Sequence, residues 1–294
     1  MNLKKAISQY LDYYLQVERG MPDNTLAAYK NDLNLFYNII GNKNINHLHD
    51  TDFTKFLSQS TGARSTLHRR KATLNGFIKF LNKRLKCNIE FRFESTRQCY
   101  ADTVPHYLTL YQGQKFFQSI DTKAFPGIRD YAIFITLLAT GCRVSTLINI
   151  KLSDIDYKHK HVKIKGKGSK ERLIPLDDTT IKSILSWILF RTGNFKQKSE
   201  YIFTNKTGAK ISRESIFLIT KKYQKKAGLD ISISPHSFRH TFGTWLIHSG
   251  ANLKDIQSLM GHRTIDSTQI YLHTDAKHLR AAIQKHPLHA LLQT

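Results

Sequence analysis

The stretch SPHSFRHTFGTWLIHSG places His236, Arg239 and His240 at i, i+3 and i+4 behind Pro235, on one face of a predicted helix. Three cationic or proton-exchanging groups this close repel one another unless an anion lies among them, so an oxyanion or phosphate site fits them best. Two other chemistries use the same residue types. Imidazoles at i and i+4 form the zinc pair of an HExxH helix, but here the glutamate base is missing and Arg239 would crowd a dication. Core histidines satisfied by backbone carbonyls are the third reading.

The rest of the chain also points to a polyanion. Its 294 residues carry 45 Lys+Arg against 22 Asp+Glu, a formal net charge of +23, and unbalanced cations repel one another until a partner neutralises them. Residues 64–86 hold Arg64, Arg69, Arg70, Lys71, Lys79, Lys83, Arg84 and Lys86 without an acid, while Leu67, Leu74, Phe77, Ile78, Phe80 and Leu81 recur at mostly helical spacing. That pattern predicts an amphipathic helix with a basic face. A second cluster, Lys158, Lys160, Lys163, Lys165, Lys167, Lys170 and Arg172, meets only Glu171. Nucleic acid accounts for two such clusters better than an acidic membrane does, and Arg64, Arg69, Arg70, Lys71, Lys165, Lys170 and Arg172 are the expected DNA contacts.

At 40% hydrophobic the chain can build one large or two medium cores, and no segment approaches the roughly 18 consecutive apolar residues of a spanning helix. Gln9 and Asp12 interrupt the first apolar stretch, which argues against a secretory signal. Cys87, Cys99 and Cys142 have neither disulfide-framework nor zinc spacing, so a reduced, cytoplasmic protein is expected.

Those basic and histidine-bearing segments need a scaffold. Residues 1–86 read as helical throughout, with a cap at Asp23 or Asn24 and another start near Asp52. Residues 87–104 lose periodicity and read as a linker, and 105–294 as a second domain. Within it, helices are expected near Tyr111–Ser119, over Asp130–Leu138 ending at Thr140-Gly141, over 212–225, 236–248 and 252–260, and around Tyr271. His161–Lys165 and Arg172–Leu176 flank a Gly166–Ser169 turn as a hairpin, and Tyr201–Phe203 reads as a short strand.

Four boxes in order now carry a resemblance. TGCRVSTL is similar to a T-G-x-R-x-S-E-L box, IKGKGSKERLIPL to a G-K-G-x-K-x-R-x-x-P-L hairpin, HSFRH to H-x-L-R-H, and LMGHRTIDSTQIYLH to L-G-H…T-x-x-Y. With TLAAYKNDLNLF near the start and KHPLHA near the end, the chain resembles the tyrosine recombinase (phage integrase) family, especially its Xer-like members.

The resemblance implies a mainly α fold with a small β-sheet, in which an N-terminal helical bundle and a C-terminal α+β catalytic domain clamp duplex DNA. It implies that Tyr271 is the nucleophile, that Arg143 and Arg239 hold the scissile phosphate, and that Lys167, His236 and His262 complete the site. Two guanidinium forks can neutralise charge building on a pentacoordinate phosphorus. Tyrosine, with a reference pKa of about 10, needs such a site or a base to become a nucleophile. His236 is the expected proton acceptor, Lys167 the donor to the departing 5′ oxygen, and His262 a hydrogen bond to the phosphate. No metal or cofactor is implied, since arginines do the work of a cation.

The expected activity is site-specific recombination through a 3′-phosphotyrosine at a specific core site in double-stranded DNA. The expected assembly is a synaptic tetramer, of this chain alone or with a second recombinase, whose C-terminal tail docks on a neighbouring subunit. Thr146 stands where the family has an acidic residue, which puts rate and site rigidity in question; Phe238 replaces leucine. The alternatives are a catalytically silent DNA-binding protein of the same fold and a relaxing enzyme of the type IB topoisomerase kind.

Overall fold

Leu26, Tyr29, Leu33 and Phe36 recur at helical spacing and form the inner face of α2 (Asp23–Ile40). Around it lie α1 (Leu3–Ser8), which continues as a π-wound segment over Gln9–Glu18, α3 (Asp50–Ser58) and α4 (Arg64–Leu85). The computed structural model describes residues 1–21, 23–59, 64–91, 107–165, 171–196, 198–260, 283, 286 and 287, and the chain divides into two units, residues 1–100 and 101–294.

Aromatic rings fill the N-terminal core. Phe36 stacks on Phe53 at 5.6 Å and meets Phe56 edge-on at 5.4 Å, arrangements that suit the ring quadrupole. Tyr10 packs so tightly on α4 that a Cβ at Gly76 would lie 2.4 Å from its hydroxyl. Asp32, 3% exposed, is the polar pin of this unit. It accepts from Arg69 Nη1 at 2.9 Å and Thr73 Oγ1 at 3.0 Å, and Arg70 Nε lies 3.7 Å away. Arg69 also donates to the Ala28 carbonyl, and the Arg70 guanidinium lies over the Phe56 ring. The basic stripe of α4 therefore turns two of its arginines back onto α2, where the pattern alone placed them on the outer face.

The N-terminal unit also runs past the expected end at residue 86. Cys87 and Ile89 are buried in its core, Phe91 stacks on Phe53 at 5.2 Å, and Asn82 holds both the N–H and the carbonyl of Ile89. Alternating burial with no sustained period hid this packed extension.

The C-terminal unit follows the expected order. It comprises α5 (Leu110–Gln118), α6 (Gly127–Thr140), α7 (Val144–Leu147), strands β1 (Ile155–Asp156), β2 (His161–Lys165) and β3 (Glu171–Pro175), then α8 (Asp178–Asn194), α9 (Arg213–Lys226), α10 (Pro235–His248) and α11 (Leu253–Met260). The strands form an antiparallel sheet in the order β1-β2-β3, with Val162 opposite Ile174 and Ile164 opposite Arg172.

Two elements differ from expectation. The 17-residue α8, capped by Asp177, escaped the sequence pattern because Leu185 and Leu189 lie exposed opposite buried Ile181, Ile184 and Trp187, which blurs its stripe. Tyr201–Phe203 is not a strand. The Tyr201 and Ile202 carbonyls are taken by side chains of α8 instead: Trp187 Nε1 donates to Ile202, and Arg191 donates to Tyr201, Ile202 and the nearby Ser199, leaving isolated bridges at Tyr201 and Thr204. Among the described residues no helix is long and apolar enough to cross a membrane.

Candidate active site

Pro235 at N1 and a capping box between Ser234 and Ser237 start α10, so His236 falls in its first turn. Phe238 then anchors the helix. Its ring lies 5.1 Å from both Phe116 and Phe134 with no exposure, so the residue standing in for leucine completes an aromatic cluster. Helix register is fixed a turn later by Leu108, whose N–H donates to Thr241 Oγ1 at 2.8 Å and whose carbonyl accepts from Trp245 Nε1 at 2.9 Å.

Arg239 is consequently held inside the unit, 6% exposed. Its Nη1 donates to the Gly141 carbonyl at 2.5 Å and its Nη2 to the Met260 carbonyl at 2.6 Å. Gly141 earns its place twice. It ends α6 with φ 56°, the left-handed region that favours glycine, and a Cβ there would meet the Phe242 ring at 2.2 Å. The tight turn then delivers Arg143 as the exposed N-cap of α7. Thr146, the departure from the family's acid, is half-buried and donates its N–H to the Arg143 carbonyl.

The electrostatics around Arg239 are dominated by burial and like charge. Burial first, then Arg143 and Arg172, pull Arg239 down from the usual guanidinium value to about 10. Partial burial, His240, Arg239 and Arg143 hold His236 below the ordinary imidazole value, and His240 is lowered by burial and Arg239. Among the described residues no carboxylate pairs with Arg143, Arg172 or Arg239. A buried guanidinium such as that of Arg239, without a counter-charge, is costly in a free protein and suited to binding an oxyanion.

Arg143, from the turn between α6 and α7, is thus brought to His236 and Arg239 in the first turns of α10. His262, Tyr271 and Lys167 lie outside the described residues, as do Lys170 and the side chain of Arg64. Lys71 is half-buried on α4, and Lys165 is exposed at the end of β2, 3.6 Å from Glu171. Arg172 was expected on the surface of the hairpin. It alternates instead with Glu171 and Leu173 onto the inner side of β3, the side of buried Ile174. The zinc reading finds no support in this arrangement, since His236 and His240 are exposed and the buried residue of the three is the cationic Arg239.

Comparison with known proteins agrees with this geometry. Residues 7–84 match the phage integrase N-terminal SAM-like domain and residues 106–278 match the phage integrase family. The chain belongs to the phage integrase family. Within it, the similarity runs along nearly the whole length of Xer recombinases. The chain is 32% identical over 288 residues to tyrosine recombinase XerD of Listeria monocytogenes serotype 4b, covering 94% of this chain and 96% of that one. It is 31% identical over 289 residues to tyrosine recombinase XerC of Oceanobacillus iheyensis, covering 93% of each. In fold it is similar to XerH site-specific recombinase bound to a palindromic difH substrate, with TM-score 0.71 and 22% identity over 94% of this chain and 83% of that one. A lambda integrase dimer bound to a core site gives TM-score 0.69 and 17% identity over 92% of this chain and 100% of that one.

Proposed function

We propose that this chain is a site-specific tyrosine recombinase, breaking and rejoining DNA strands through a 3′-phosphotyrosine formed on Tyr271. One observation carries the reading: Arg239, buried in the C-terminal core beside Arg143, has carbonyl partners and no acidic one among the described residues. A site with this surplus of positive charge is complementary to the dianionic transition state of phosphodiester attack more than to the monoanionic substrate. The relatives' names, tyrosine recombinase XerD and XerC, support the same reaction.

In this reading Arg143 and Arg239 hold the non-bridging oxygens. His236, kept neutral by its cationic neighbours, accepts the Tyr271 proton as the phenol attacks phosphorus. The 5′ oxygen leaves with a proton from Lys167, and His262 hydrogen-bonds the phosphate. A second strand's 5′ hydroxyl then displaces the tyrosine, so the energy of the broken bond is retained in the phosphotyrosine and no nucleotide is consumed. Lys71, Lys165, Lys170 and Arg64 are the proposed backbone contacts, while Arg69 and Arg70 position α4 through Asp32. The fold's resemblance to a lambda integrase tetramer bound to a Holliday junction supports a tetrameric synapse, and the proposed compartment is the cytoplasm, where bacterial DNA lies.

The test uses labelled nicked duplexes carrying candidate repeats, without metal or ATP, resolved on denaturing gels. Wild type should form a covalent adduct and Tyr271→Phe none, with DNA binding unchanged. Binding without any adduct on bound sites would leave a silent DNA-binding protein in its place.

A further inference from the structure

The hairpin contributes more to the site than its expected lysine. Alternation along β3 turns Glu171 and Leu173 outward and Arg172 and Ile174 inward, and Arg172 stands opposite buried Ile164 of β2. An arginine on the inner side of this sheet needs a partner for its donors. Its Nε is buried and has none among the described residues. The adjacent acid, Glu171, faces the other way, 3.7 Å from Lys163 and 3.6 Å from Lys165.

The surroundings of Arg172 are the site itself. Arg143 and Arg172 repel each other, Arg172 and Arg239 do the same, and the Cys142 thiol lies within reach of both Arg172 and Arg239. Burial pushes that thiol up from its ordinary value, so it stays neutral and supplies no counter-charge. A half-buried guanidinium with an orphaned donor, set among two other guanidinium groups, is unfavourable in the free protein. A phosphoryl group docked on Arg143 and Arg239 would remove that repulsion.

We infer that Arg172 is a third guanidinium of the phosphate site, reaching it from the inner face of the hairpin, and that it acts there as a phosphate-binding group and not as a groove contact. The inference rests on the phosphate-cleaving reading of the same site. It also explains why strand β3, and not only the turn before it, belongs to the chemistry: whatever moves the hairpin moves a charge in the pocket.

The test follows thermal melting of the full chain in rising inorganic phosphate at fixed ionic strength, for wild type, Arg172→Met and Arg172→Lys. Wild type should be stabilised by phosphate, with the dissociation constant weakened about tenfold in Arg172→Met and less in Arg172→Lys. Without phosphate, Arg172→Met should melt at or above wild type, because an unpaired buried charge has gone. A phosphate response equal to wild type, a wild type indifferent to phosphate, or an Arg172→Met protein that melts below wild type would each overturn the inference. On duplexes that wild type cleaves, Arg172→Met should form adduct about 100-fold more slowly, as expected for loss of one charge-stabilising donor. Unchanged adduct formation there would sink the inference while leaving tyrosine-mediated cleavage intact, and the phosphate melts do not depend on Tyr271 at all.

Discussion

In the proposed reaction His236 has to do two things that conflict in water: sit near an anionic phosphate and remain able to take a proton. Its surroundings resolve the conflict, because burial, His240, Arg239 and Arg143 all disfavour the imidazolium in the free protein. The sign follows. The folded value lies below the unfolded one of about 6.5, so the unfolded chain binds the extra proton first, and stability falls as pH drops from about 6.5 through the folded value. NMR titration of the full chain should place the His236 midpoint below 6.5, and His240→Gln should move it upward by removing one of these repulsions. A midpoint indifferent to His240 would show that burial and the two arginines set it without the second imidazole. Of the site residues, the sequence made Arg239 and His236 legible by spacing on one helical face. Arg172 was read as a surface cation, since charge runs report composition and only strand register decides which side a residue faces.

Helices with caps were the most legible elements. Thr140-Gly141 marks the end of α6, Pro235 the start of α10 and Ser212 the start of α9, each a residue type whose backbone preference is local. What the sequence hid depends on distant partners: the Tyr201 and Ile202 carbonyls go to Arg191 and Trp187, and α8 lacks a clean stripe. Asp32 belongs to the same class. In the pattern TLAAYKNDLNLF it is one polar residue on α2, yet in the fold it joins α2 to α4 through Arg69, Arg70 and Thr73. Replacing it with asparagine strands cations against the core, and denaturant unfolding should show a loss of about 3 kcal/mol, reduced somewhat by the partial exposure of Arg69. A change under about 0.5 kcal/mol, the range of ordinary surface substitutions, would mean the network is ornamental.

Over the whole molecule, +23 sets the strength and the salt dependence of the first encounter with DNA. Each neutralised phosphate contributes about −0.9 to the slope of log K against log salt. A footprint of six or more contacts should therefore cost about a thousandfold or more in affinity between 50 and 200 mM salt, measurable by fluorescence anisotropy on a duplex of any sequence. Lys71→Gln should lower the slope by about one without changing which sequence is preferred. A slope that stays near zero would place the excess charge away from the DNA.

Arg239 joins the carbonyl of Gly141, from the end of α6, to that of Met260, at the end of α11. During translation these groups leave the ribosome in the order 141, 239, 260, far apart in time. An unfinished chain can carry both arginine-bearing segments and still have no fixed guanidinium, because its last acceptor has not been made. In the proposed mechanism the capacity to clamp the scissile phosphate thus arises late in synthesis, and prematurely terminated products ending before Met260 should bind DNA through their basic surface without cutting it.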